Sequence, residues 1–199
     1  MAETEKRIIH HKEGDKTTEP ITDLDVLGRF KRAAGVVGSR NYMLIHLGVH
    51  LGLRISDLLK IQVKDINKSI VEQKTQKKRK LYIPSSILKD VNDYIQAEKL
   101  CETDYLFYSR KGKGPISRQQ AYRIIKKAAN DCGLGKKQIG THTLRKTFGY
   151  HFYNQFGDIA QLQTIFNHST QEMTKIYIGV SQEAIENNMD KLNLKAEKK

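Results

Sequence analysis

Apolar side chains recur every three to four residues along most of this chain, the spacing of a helix with one buried face. The first twenty residues are an exception, because they are polar and charged and have no periodic apolar face. We therefore expect a flexible arm over residues 1–20 and one packed domain over residues 21–199. That domain opens with three predicted helices: one marked by apolar residues from Leu24 to Ala33, one over Ser39–Leu51, and a short one over Arg54–Ile61.

Between residues 61 and 84 the helical spacing gives way to short runs that are typical of strands. The runs are Ile61–Ile66, Ser69–Thr75 and Lys80–Pro84, and the basic turn that carries Lys74 protrudes among them. They predict a small antiparallel three-stranded sheet. Because this is the only sheet expected, the fold class is mainly α with a small β component (α+β).

Helical spacing returns after residue 85 and continues to the end of the domain. In the helix that Ser117 caps, apolar residues recur at i, i+3, i+4, i+7, i+8 and i+11 from Ala121. The predicted helices are Ser85 to about Leu100, the helix after Ser117, a helix capped by Thr141, Asp158–Phe166, Gln171–Ile178, and a C-terminal helix over about residues 181–194.

The charge balance favours a nucleic-acid partner. Lys and Arg number 35 against 22 Asp and Glu, which gives a net charge of +13 and a sequence pI near 9.6. A chain that neutralises several phosphates binds nucleic acid with a strong salt dependence, although charge alone is weak evidence. No apolar run is long enough to span a membrane. Cys101 and Cys132 fit a reducing cytoplasm, and we expect both to be free and structural.

The candidate chemistry is concentrated in one motif and in the residues that surround it in sequence. His142 and Arg145 are three apart in Thr-His-Thr-Leu-Arg, so on a helix they share one face and can reach one ligand. His168 follows 23 residues after Arg145, and Tyr177 follows nine residues after His168. Upstream, Arg54 stands after a helix-breaking glycine, and Lys74 lies in the basic turn.

In this order, these six residues resemble the catalytic domain of a tyrosine recombinase of the phage integrase family. The resemblance covers the chain from about Ile21 to its C-terminus and includes the short single-domain members of the family. It implies that Tyr177 attacks double-stranded DNA, forms a covalent 3′-phosphotyrosyl intermediate and releases a 5′-hydroxyl. It also implies that no metal, nucleotide or other cofactor and no small-molecule substrate is required.

Under this resemblance, Arg54 and Arg145 clamp the phosphate. A phosphodiester under attack gathers negative charge on its non-bridging oxygens, and guanidinium groups match that geometry with two hydrogen bonds. Asp57, which follows Arg54 by three residues, is expected to hold the Arg54 side chain in one rotamer. A helix-capping or surface ion-pair role for Asp57 is the alternative.

The same resemblance assigns the proton transfers. A tyrosine hydroxyl has a pKa near 10 and needs help to act as a nucleophile, so His142 is the expected proton acceptor for Tyr177. By family match, Lys74 donates a proton to the leaving 5′-oxygen. His168 is expected to donate a hydrogen bond to the phosphate. In the family a glycine often precedes this histidine, whereas here Asn167 does.

Contacts to the DNA backbone or bases are expected from basic residues outside the catalytic set, with an ordinary solvated face as the alternative. They are Lys77 and Lys78 in the basic turn and Arg118, Arg123, Lys126 and Lys127 on the helix after Ser117. The C-terminal helix is expected to dock on a neighbouring protomer and so to couple assembly to Tyr177, although packing in cis is the plain alternative. Residues 1–20 are too few for a separate DNA clamp, so the chain is either a short member or a catalytic fragment.

Each candidate residue has a simpler interpretation when it is taken alone. Arg54 would be one half of a surface ion pair, Tyr177 a half-buried packing residue and Lys74 solvated charge. His142 and His168 would each be a core or capping histidine, or together with His151 a metal group, but no short ligand pair such as HExxH supports the metal interpretation. The conjunction of all six residues in order favours the recombinase. Two other functions remain: type IB topoisomerase-like strand relaxation, and a non-catalytic DNA-binding regulator.

Overall fold

The computed structural model describes residues 18–66, 69–71, 78–112 and 114–179, and of 69–71 and 78–80 it describes the backbone alone. Most of the predicted arm, the side chains of Lys74, Lys77 and Lys78, and the predicted helix 181–194 therefore lie outside the described residues. The described chain divides into two compact units, residues 18–149 and residues 150–179. Each unit is treated separately below.

The first unit begins with two helices that form much of its core. Helix α1 is Leu24–Val37, and Asp23 caps it by accepting hydrogen bonds from the N–H groups of Asp25 and Val26. Helix α2 is Ser39–Leu51, and nine of its 13 residues are buried. Because α2 is covered on nearly all sides, it packs as a central helix rather than as an amphipathic one. Both predictions of a helix here are confirmed.

One buried histidine of α2 faces a carboxylate on another helix. His46 Nε2 lies 3.1 Å from Asp90 Oδ2, and the His46 ring stacks on Tyr42 at 5.3 Å between centroids. Burial lowers the pKa of His46 to about 4, helped by the positive charges of His50 and Lys31, and outweighs the opposing effect of Asp90. His46 is therefore neutral in the folded protein at pH 7.

The segment predicted as the first strand forms different structure. Residues Val63–Asp65 make a short 3-10 helix, and Gln62 pairs with Tyr105 in an isolated bridge. The cause is a reciprocal cap, in which the Gln62 N–H donates to Asp65 Oδ2 at 2.9 Å and the Gln62 side chain accepts from the backbone of Asp65. The strand prediction for Ile61–Ile66 was wrong because side-chain capping favours a turn there.

The sheet described here consequently has two strands. Strand β1 is Ser69–Val71 and strand β2 is Lys78–Lys80, and they run antiparallel with Ser69 opposite Lys80. Strand β1 lies within the second predicted strand, Ser69–Thr75, whereas β2 shares only Lys80 with the third, Lys80–Pro84, whose other residues are not in a strand. The coarse fold class, mainly helical with a minor β component, is therefore as expected, while the described residues show two strands where three were predicted.

The other helices of the first unit pack around two clusters of buried apolar residues. Helix α3 is Ile55–Leu58, α4 is Ser85–Ala97, and α5 is Arg118–Asp131, which Ser117 caps through the N–H of Gln120. Helix α5 packs on α1 and buries Ala121, Ile125, Ala128 and Ala129. Both cysteines are free, but Cys101 is exposed and only Cys132 is partly packed.

Helix α6, Thr141–Phe156, begins in the first unit and ends in the second. The second unit continues with α7, Ile159–Phe166, and α8, Gln171–Ile178, which pack on each other. Asn167 ends α7 in the left-handed conformation with φ 48°, which asparagine tolerates better than most residues. The larger residue at this position therefore still makes the turn. In the described part of the chain, no helix is long and apolar enough to cross a membrane.

Candidate active site

Arg145 is anchored to the turn that ends α2. It is only 3% exposed, and its Nη1 donates a 2.7 Å hydrogen bond to the carbonyl oxygen of Gly52. Gly52 takes the left-handed conformation with φ 58°, and a Cβ there would lie 2.5 Å from Cδ1 of Phe148 on α6. The turn therefore requires glycine for two reasons, backbone conformation and close approach.

Arg54 follows this turn and immediately precedes α3, and its backbone is extended, with φ −65° and ψ 144°. One short segment thus carries the first arginine and the carbonyl that holds the second. Asp57 is 5% exposed on α3, and its N–H donates to the Arg54 carbonyl at 2.9 Å. Because Asp57 is buried, the surface ion-pair alternative does not fit it, while its predicted hold on the Arg54 side chain stays a prediction.

His142 lies one helical turn before Arg145 on α6 and remains exposed. Loss of water around part of its ring lowers the pKa of His142, and the positive charges of Arg145, Lys146, Arg118 and Arg54 lower it further. Both causes act in the same direction, so the imidazole is neutral at pH 7. The first unit thus brings together two arginines and a neutral proton acceptor.

The second unit holds the other two described candidates together. The rings of His168 and Tyr177 lie 5.3 Å apart at 75°. The Phe166 ring packs edge-on against Tyr177 at 5.5 Å and lies 5.2 Å from His168 with a tilt of 55°. Such edge-to-face contacts fix ring orientation. His168 Nδ1 also lies 3.0 Å from Oγ1 of Thr174, which is on the same helix as Tyr177.

The predicted DNA contacts on α5 do not form one surface. Arg118 is exposed at the start of the helix and its charge acts on His142. Arg123 and Lys127 instead line a shallow cavity against α1, and Lys127 pairs with Asp131 at 3.0 Å, whereas Lys126 is half-buried. Of the four, Arg118 has the clearest connection to the candidate site.

Three residues that matter here were not singled out by sequence pattern: Gly52 as an anchor, Lys146 and Thr174. Lys146 is 6% exposed and adds to the positive charge around His142. Lys146 could have been singled out from the sequence, because it directly follows the His-x-x-Arg motif. The hydrogen bond from Arg145 to Gly52 could not, because it joins residues 93 positions apart.

Comparison with known proteins identifies a family. The model of the Phage integrase family matches residues 30–184. The chain is 46% identical over 169 residues to the probable integrase/recombinase YoeC of Bacillus subtilis (strain 168), which covers 83% of this chain and 91% of that protein. The chain spans about half the length of other curated relatives named tyrosine recombinases, from 48% to 55%.

Solved structures show the same fold. The crystal structure of XerA recombinase matches with a TM-score of 0.72 at 21% identity, over 90% of this chain and 66% of that one. The XerH site-specific recombinase, solved in a post-cleavage complex with palindromic difH substrate, matches with a TM-score of 0.71 at 21% identity, over 89% of this chain and 54% of that one. The fold predicted from the motif order, that of a tyrosine recombinase catalytic domain, is therefore confirmed.

Proposed function

Since this chain belongs to the phage integrase family of tyrosine recombinases, we propose that it cleaves and rejoins double-stranded DNA at specific sites through a phosphotyrosyl bond to Tyr177. The XerH structure, which was solved with its difH substrate after cleavage, supports DNA as the partner. The integrase/recombinase name of YoeC supports site-specific recombination as the outcome.

The observation that carries the proposal is the group formed by Arg54, His142 and Arg145. A phosphodiester attacked by an oxygen nucleophile passes through a state with extra negative charge on its non-bridging oxygens. The Gly52 carbonyl already orients the Arg145 guanidinium, so little reorganisation is needed when negative charge develops on the phosphate. Arg54 leaves the same turn and supplies the second guanidinium.

In the cleavage step, the Tyr177 oxygen forms a bond to phosphorus while the bond from phosphorus to the 5′-oxygen breaks. The phenolic proton passes to His142, which is neutral at pH 7 and can accept it. Lys74 gives a proton to the leaving 5′-oxygen. The products are a 3′-phosphotyrosine and a free 5′-hydroxyl, and attack by a 5′-hydroxyl reverses every step and rejoins the strand.

Supporting roles are proposed for the remaining candidates. His168 donates a hydrogen bond to the same phosphate, and Asp57 keeps the Arg54 side chain in place. Arg118 binds the DNA backbone next to His142, since its charge already acts on that histidine. Lys77, Lys78, Arg123, Lys126 and Lys127 remain proposed DNA contacts. Assembly on DNA through residues 181–194 and a cytoplasmic location also stay predictions.

The test uses nicked suicide substrates, which trap the covalent product, with EDTA in the buffer. Because the natural site is unknown, substrates come from a randomised library and from DNA that flanks the source element. Wild-type protein, Tyr177→Phe, and a matched control, Tyr82→Phe at an exposed tyrosine, are compared by denaturing gel and peptide mapping. We expect adducts that map to Tyr177 with wild-type and control protein and none with Tyr177→Phe.

The two alternatives give different results. Relaxation of arbitrary supercoiled plasmid by a monomer would indicate a topoisomerase-like enzyme. Salt-sensitive binding across the library without any adduct would indicate a DNA-binding regulator. An adduct that persists in Tyr177→Phe would show that the nucleophile has been misassigned.

A further inference from the structure

The hydroxyl of Thr174 connects the histidine of the second unit to the helix of the nucleophile. Thr174 is completely buried on α8, three residues before Tyr177. Its Oγ1 lies 3.2 Å from the carbonyl oxygen of Thr170 and 3.0 Å from Nδ1 of His168.

A proton count decides the direction of these two hydrogen bonds. A threonine hydroxyl has one hydrogen to donate, and the Thr170 carbonyl can only accept. When the Thr174 hydroxyl donates to Thr170, it accepts from His168, and the hydrogen must then be on Nδ1. The opposite direction, with Thr174 donating to Nδ1, would satisfy only one of the two contacts. We infer that Thr174 is a positioning residue that holds the His168 imidazole with a hydrogen on Nδ1.

Other contacts hold the ring in the orientation that presents Nδ1 to Thr174, whereas a half-turn of the ring would present the carbon Cδ2. The Tyr177 ring packs edge-on against His168 at 5.3 Å, and the Phe166 ring packs against it at 5.2 Å with a tilt of 55°. The His168 backbone is held on both sides by Gln163, whose carbonyl accepts from the His168 N–H at 3.1 Å and whose Nε2 donates to the His168 carbonyl at 3.1 Å. With Nδ1 held by Thr174, His168 would meet the phosphate through Nε2.

This inference deepens the proposed function and rests on it for its consequence in catalysis. If Nδ1 carries the hydrogen, a neutral His168 presents a lone pair on Nε2, which repels phosphate oxygens. His168 can donate to the phosphate only after Nε2 takes up a second proton. The hydrogen bond to phosphate then comes from a cation, which makes it stronger than a neutral one.

The tautomer can be measured without DNA. Long-range ¹⁵N–¹H NMR of histidine-labelled full-length protein distinguishes hydrogen on Nδ1 from hydrogen on Nε2, and His168→Gln assigns the signal among the seven histidines. Thr174→Val keeps the shape and removes the hydroxyl, and Thr174→Ser restores it. Thr164→Val is the matched control, because Thr164 Oγ1 likewise donates to a carbonyl one helical turn earlier, that of Ala160 at 3.1 Å.

We expect the neutral His168 ring to carry its hydrogen on Nδ1 in wild type, Thr174→Ser and Thr164→Val, and to shift it toward Nε2 in Thr174→Val. Adduct formation should slow about ten-fold in Thr174→Val alone, as is common when the partner that orients a functional histidine is removed. Hydrogen on Nε2 in the wild-type protein would overturn the inference without any variant. A correct tautomer pattern in a protein that never forms an adduct would instead refute the proposed function and leave the role of Thr174 intact.

Discussion

Substitution of Gly52 by alanine gives the sharpest test of how the first unit holds its arginines. Two costs follow from the structure. An L-residue with a side chain in the left-handed conformation costs about 1–2 kcal/mol, and φ at Gly52 is 58°. The new methyl group would also lie 2.5, 2.9 and 3.0 Å from Cδ1, Cε1 and Cγ of Phe148, and overpacking of this kind costs about 1–3 kcal/mol. Together the loss in free energy of unfolding is about 2–5 kcal/mol.

The chain contains a control that separates the two costs. Gly133 also has a left-handed φ, 86°, but nothing lies within 4 Å of a Cβ built there. Gly133→Ala should therefore cost only the conformational part, about 1–2 kcal/mol. Urea unfolding followed by circular dichroism suits a protein without tryptophan. Equal losses for Gly52→Ala and Gly133→Ala would refute the packing of Phe148 against this turn.

A double-mutant cycle extends the test to Arg145. Phe148→Leu makes room for the methyl group, so Gly52→Ala should be less destabilising in that background than in wild type. The left-handed backbone at position 52 still disfavours alanine in this background, so we expect the carbonyl of that residue to shift away from Arg145. Its rate of adduct formation should therefore stay well below that of Phe148→Leu alone. Full activity in the double variant would show that the hydrogen bond to Gly52 does not orient Arg145.

Three further predictions concern charge and protons. Arg145→Lys removes the planar fork and should slow adduct formation on the order of a hundred-fold while DNA binding, measured by filter retention, changes little; an equal loss of binding would contradict a role in the reaction step. Lys74→Ala should be inactive on ordinary DNA and active on a substrate with 5′-bridging sulfur, because a thiolate leaves without a proton; absence of rescue would remove Lys74 as the acid. For His46, whose pKa falls to about 4, the unfolded chain takes up a proton near pH 6.5 that the folded chain does not. Stability is then intact above pH 6.5 and falls by about 3 kcal/mol as the pH drops toward 4, and urea unfolding of His46→Gln should show a weaker dependence unless another group is responsible.

Local spacing predicted those parts of the site that depend on one helix. His142 and Arg145 share a turn of α6, as the pattern indicated. The short helix predicted over Arg54–Ile61 is present as Ile55–Leu58, so Arg54 lies directly before it rather than within it. The strand prediction for Ile61–Ile66 was wrong because Gln62 pairs with Tyr105 in an isolated bridge and because Gln62 and Asp65 cap a short 3-10 helix. The spacing of apolar residues does not reveal either feature.

The predicted DNA face of α5 shows a second limit of pattern reasoning. Of the four basic residues predicted on the exposed side, Arg118, Arg123 and Lys127 are exposed, whereas Lys126 is half-buried. The exposed side is wider than one binding surface, however. Where α1 packs on α5, it takes Arg123 and Lys127 into the lining of a cavity and leaves Arg118 beside His142. The packing of α1 on α5 therefore distinguishes Arg123 and Lys127 from Arg118, and the local sequence pattern of α5 does not show where α1 packs.

The way Arg145 is held explains how one group of charges can serve two requirements of the proposed reaction. A carboxylate in the place of the Gly52 carbonyl would orient the guanidinium equally well but would offset its charge, whereas a carbonyl orients it and leaves that charge in place. Loss of water around the ring lowers the pKa of His142, and the positive charge of the arginines lowers it further. In the proposed reaction, the charge that stabilises a phosphate under attack thus also favours neutral His142, the form that can accept the Tyr177 proton. Loss of either arginine should therefore weaken both effects together, raising the pKa of His142 toward 6.5 as the cleavage rate falls.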